Sequence, residues 1–95
     1  MASLENLKEL FTETFSLYKS TPMEQTDRKR FTEIFSEAKQ LKENALKSSS
    51  KNSKDYLLNQ AHLKLKSVNN ELLEIKQANE ITRYKEEIQK LKNIL

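Results

Sequence analysis

The chain has 95 residues, of which 36% are hydrophobic and 33% charged, with a net charge of +3. A chain this short and this polar builds at most one small domain with a thin core, which suits amphipathic helices and excludes a thick sandwich. It has no Gly, one Pro and no Cys, so glycine-dependent turns, phosphate-cradling loops, disulfides and thiolate chemistry are absent from the start.

The basic excess sits mainly in and beside the serine-rich linker, through Lys39, Lys42, Lys47, Lys51 and Lys54, and is too dilute for a dedicated nucleic-acid binder. No run of eighteen apolar residues occurs, and Met1 to Leu10 alternates Leu with Glu and Lys. A transmembrane segment and an ordinary secretory signal are therefore not expected, and the expected setting is intracellular, in the cytoplasm.

The first predicted helix runs from Leu4 to Lys19. Ser3 is placed to cap it and Glu5 lies in its first turn, where the helix dipole favours negative charge. Leu4, Leu7, Phe11, Tyr18 and one of Leu10, Thr14 or Phe15 define its apolar face.

Thr21-Pro22-Met23-Glu24 reads as a new start, with Thr21 as N-cap, Pro22 at the first helical position and Glu24 completing a capping box. The second helix then continues to about Lys47. Its buried face is expected to be Phe31, Ile34, Phe35, Ala38, Leu41, Ala45 and Leu46, and its polar opening, Gln25 to Arg30, is expected to project beyond the core. Phe11-Thr-Glu-Thr-Phe-Ser16 and Phe31-Thr-Glu-Ile-Phe-Ser36 echo one another; the i,i+4 spacing puts both rings on one helix face, so shared packing accounts for the echo better than a repeated docking element does.

Ser48 to Ser53 is a polar connection, with Asn52 or Ser53 as the expected cap of the third helix. From Tyr56 to Leu95 no Pro or Gly interrupts a single long helix. Leu58, Ala61, Leu65, Val68, Leu72 and Ile75 keep an unbroken 3-4 spacing. Carried forward, that register meets only polar residues, beginning with Asn79 and Thr82. A second seam starts in another phase, with Ile81, Tyr84, Ile88, Leu91 and Leu95, and Ile94 beside it. From Leu72 to Ile81 the helix turns by about 180°, so the two stripes face opposite ways.

These patterns predict an all-α, up-down-up antiparallel three-helix bundle over residues 1–80, with residues 81–95 as a coiled-coil-type helical overhang for assembly. The competing arrangement is a break near Asn79 that folds the C-terminal segment back into a closed four-helix bundle. The protein-interaction residues are Ile81, Tyr84, Ile88, Leu91, Ile94 and Leu95, with Glu80–Arg83 and Glu86–Lys90 as expected pairs on the solvated side. Two heptads are short for a free-standing coiled coil, which slightly favours a different helical protein over self-association.

Catalytic material is missing. His62 is the only imidazole and falls at the rim of the first seam, while pairs such as Glu33 with Glu37 sit on faces that water must solvate. No metal or cofactor is expected. The second functional class is a small nucleic-acid-associated regulator with Arg28, Lys29, Arg30, Lys47, Lys51 and Lys54 as candidate phosphate contacts; no aromatics interleave with them to stack on bases. Membrane-surface contact ranks below a helix partner, because the C-terminal stripe lacks Trp and Phe.

Overall fold

The computed structural model describes residues 3–94. Three helices follow one another: α1 (Leu4–Ser20), α2 (Gln25–Lys47) and α3 (Lys51–Ile94). Ser3 caps α1 as its position predicts, its hydroxyl accepting from the Asn6 N–H at 3.1 Å. Both α1 and α2 pack on α3, α1 parallel to it and α2 antiparallel, as the up-down-up reading requires.

The register on α3 can be read from side chains. Arg30 pairs with Glu71 at 2.7 Å and Glu37 with Lys64 at 3.1 Å, so seven residues forward on α2 correspond to seven back on α3. Both pairs are exposed and each contributes at most about 1 kcal/mol. The register itself is set by the apolar seam. Leu58, Ala61, Leu65, Val68 and Leu72 are buried, with Ile75 partly so. They face Leu7 of α1 and Phe31, Phe35, Ala38 and Ala45 of α2 in one cluster. Leu65 is only 1% exposed, and complete burial of such a side chain contributes about 1.5–3 kcal/mol.

Helices α1 and α2 meet through aromatic rings. Phe35 takes edge-on contacts from Phe11, Phe15 and Tyr18, with centroids 5.5, 5.6 and 5.5 Å away. The sequence echo is thus two solutions to one packing problem: α1 offers Phe11 and Phe15 to Phe35, while Phe31 is wholly buried in the main cluster. Beneath the rings, the buried Thr14 hydroxyl accepts from Asn69 Nδ2 at 3.1 Å, which ties α1 to α3.

Four local expectations are corrected. Thr21 does not cap α2; it ends α1 in an extended conformation (φ −100°, ψ 116°), and α2 begins only at Gln25. The carbonyls that a helix starting at Pro22 would use are taken from a distance. Arg28 donates to the Thr21 carbonyl at 3.2 Å and Asn79 to the Pro22 carbonyl at 2.9 Å.

The first turns of α2 do not project, since Arg28 and Arg30 are drawn back onto the loop and onto α3. Leu46 is exposed, because its neighbour Ala45 takes the core position and consecutive helix residues point about 100° apart. Finally, α3 starts earlier than Tyr56 and is capped by Ser50 rather than Asn52 or Ser53: the Ser50 carbonyl accepts from Lys54 N–H at 3.0 Å and its hydroxyl from Ser53 N–H at 3.5 Å.

The molecule measures 69 × 24 × 14 Å. The 44 residues of α3 account for the long axis, since at 1.5 Å per residue they extend about 66 Å. The helix is continuous through Asn79, so the chain does not fold back into a closed four-helix bundle.

Candidate protein-interaction surface

The α1–α2 loop lies against α3 at Asn79, whose side chain holds the Pro22 carbonyl. Every described residue from Lys76 onward is exposed. Past Asn79 the helix extends about a further 22 Å as residues 80–94.

Ile81, Tyr84, Ile88, Leu91 and Ile94 on this segment are 53–80% exposed. The first four fall within about 80° of arc, and Ile94 flanks them. Leu95 lies outside the described residues. Upstream on the same side, Tyr56, Leu63 and Leu73 are also exposed. Leu73 was invisible to the periodicity because it belongs to neither seam; only the placement of α1 and α2 on the opposite side leaves it open.

The polar flanks of the segment are arranged differently from the expected pairs. Arg83 joins Glu87 at 3.4 Å, four residues on, instead of Glu80. This leaves the Glu80 carboxylate and the Lys85, Lys90 and Lys92 ammonium groups without an ion-pair partner within the described residues.

The candidate phosphate contacts do not converge. Arg30 is engaged by Glu71 and Asp27 and lies over the Phe31 ring. Arg28 lies over the Tyr18 ring while donating to the loop. Lys47, Lys51 and Lys54 sit at the other end of the bundle, about 25 Å away along α2.

His62 is partly buried at the edge of the seam, with Nδ1 inside and without a hydrogen-bond partner among the described residues. No group of three potential metal ligands occurs there, and no described helix is long and apolar enough to cross a membrane.

Tyr18 is held off its ordinary titration range. The Thr32 hydroxyl 3.2 Å from its phenol oxygen, aided by the Arg28 guanidinium and opposed by burial, holds it below the usual tyrosine value. Its place in the aromatic cluster makes this a feature of packing.

An open groove of about 450 Å³ separates α1 from α2 near the start of α1. Leu7, Phe11, Ala38 and Leu65 line its apolar part, and Lys8, Lys39 and Lys42 its basic part.

No family model, curated protein or solved structure matches this chain. Its functional reading therefore rests on its own geometry.

Proposed function

We propose that the chain is a non-enzymatic helical adaptor or scaffold subunit. In this reading residues 1–80 form the supporting bundle, and residues 81–95 present Ile81, Tyr84, Ile88, Leu91, Ile94 and Leu95 for coiled-coil packing. The observation that carries it is the row of large apolar side chains, more than half exposed, on a continuous helix beyond the last contact with the α1–α2 loop. Contiguous apolar surface of this kind marks interfaces.

Support also comes from the helix itself. An isolated stretch of two heptads is marginal in water because helix nucleation is unfavourable. Here the same residues continue a helix already nucleated and held by the core, so a partner meets a preformed surface and little ordering free energy opposes association.

The nucleic-acid alternative draws no support from the geometry, since both of its arginines are engaged within the fold and Lys47, Lys51 and Lys54 lie at the opposite end of the bundle from Lys29. Replacing both Ile88 and Leu91 with Lys tests the adaptor reading. The variant should keep its helix content and lose its oligomer or its captured partner. Unchanged solution mass together with unchanged partner capture would remove the stripe from the account. Phosphate-driven binding would instead weaken steeply with salt, which apolar helix association does not.

A further inference from the structure

We infer that the partner of the C-terminal stripe is a second copy of this chain, packed parallel and in register as a two-stranded coiled coil. This rests on the adaptor reading and names the occupant of its surface.

The evidence is the distribution of side chains around the exposed segment. With Ile81 at heptad position a, Tyr84 falls at d, Ile88 at a and Leu91 at d. β-Branched residues at a with Leu at d favour two parallel strands. The flanking positions then separate by sign: Glu80 and Glu87 both fall at g, and Lys85 and Lys92 both at e.

In a parallel, in-register pair, each g residue faces the e residue five places on in the other helix. Glu80 meets Lys85 of the second copy, Glu87 meets Lys92, and the two-fold axis repeats both pairs. In an antiparallel pair g faces g and e faces e, setting Glu against Glu and Lys against Lys. The flank charges therefore select orientation as well as partner.

The surrounding structure permits this pairing. Glu80, Lys85 and Lys92 have no ion-pair partner among the described residues. Glu87 bonds Arg83 through Oε1 at 3.4 Å, leaving Oε2 for a lysine of the second copy.

Helices α1 and α2 occupy the opposite side of α3, so a second copy approaches the stripe unobstructed. The seam also has a definite start. One heptad earlier the same register places Glu74 at a and Gln77 at d, and two Glu74 carboxylates facing each other would repel. The pairing begins at Ile81, and the two bundles diverge below it.

The test uses the full chain and four variants, with solution mass measured over about a hundredfold range of concentration. The unmodified chain should rise from monomer to dimer and stop there. Glu80→Lys/Glu87→Lys makes all four flanks positive, and Lys85→Glu/Lys92→Glu makes them all negative. Each alone should weaken association more than about tenfold, and an equal mixture of the two should restore the dimer. All four positions are exposed, so circular dichroism should show the helix unchanged.

Orientation is read from Ile81→Cys in a chain that otherwise has no Cys. Parallel copies should form the Cys bridge on mild oxidation, whereas antiparallel copies would hold the two sulfurs about 20 Å apart. A dimer that does not bridge overturns the parallel register. A mixture of charge variants that stays monomeric overturns the flank pairing.

A chain that is monomeric throughout, yet loses a different captured protein on Ile88→Lys/Leu91→Lys, overturns self-pairing and leaves the adaptor reading in place. If those substitutions change neither mass nor capture, both readings fall.

Discussion

Replacing Phe35 with Ala should be among the most damaging single changes in the bundle. Phe35 is 6% exposed and receives three edge-on rings at 5.5–5.6 Å, two of them from the Phe11–Phe15 pair and one from Tyr18. Truncating a buried Phe removes its transfer free energy and leaves a cavity, together about 3–5 kcal/mol.

A domain of this size has a total stability of about 5–14 kcal/mol, so the loss is between about a fifth and all of it. Because these rings join α1 to α2, the change should loosen α1 first. Urea unfolding followed by circular dichroism at the helix band measures the effect, with Phe35→Leu as a control. Leu keeps most of the volume and loses the ring-edge contacts, and should cost about 1–2 kcal/mol. A loss below about 1 kcal/mol for Phe35→Ala would refute the claim that this ring joins the two helices.

Two further predictions concern buried polar groups. Thr14→Val should destabilise by about 1–2 kcal/mol, because Asn69 Nδ2 loses its acceptor, whereas Thr21→Val should be neutral or stabilising, because the buried Thr21 hydroxyl has no hydrogen-bond partner among the described residues. Denaturant midpoints of the two variants should therefore move apart; equal destabilisation would contradict the hydrogen-bond assignment.

The phenol of Tyr18 should ionise below the ordinary tyrosine value, read by ultraviolet titration of a variant in which Tyr18 is the only tyrosine. Its folded value is depressed below the unfolded one, so its contribution to stability is present in full above the unfolded tyrosine range near 10 and lost as pH falls through the folded value. Thr32→Val should raise the Tyr18 midpoint, since Thr32 is the largest cause of the shift.

The parts of this fold that repeat were readable from the chain. The Leu58–Ile75 spacing placed the buried face of α3, because one-sided burial over several turns leaves a periodic trace. The break in that phase at Asn79 coincides with the contact between Asn79 and the Pro22 carbonyl.

What the chain hid was decided by partners distant in sequence. The Thr21–Pro22 motif has the local grammar of a helix start, but Arg28 and Asn79 claim its carbonyls and α2 begins three residues later than Pro22. Ala45 and Leu46 are adjacent and only Ala45 faces the core, a choice the local sequence does not make. Among the serines of the second connection, each is an adequate cap by local sequence, and it is Ser50 that caps α3.

For the candidate surface, the stripe itself was legible as a second phase. Its exposure depended on which side of α3 the other helices cover and on where their loop ends.

The most direct test of the two-part organisation is truncation after Glu80, with unfolding and solution mass measured on the same sample. The account predicts that the shortened chain unfolds cooperatively with its midpoint nearly unchanged and remains monomeric at concentrations where the full chain associates. A shortened chain that loses its cooperative unfolding, or one that still assembles as the full chain does, would contradict it.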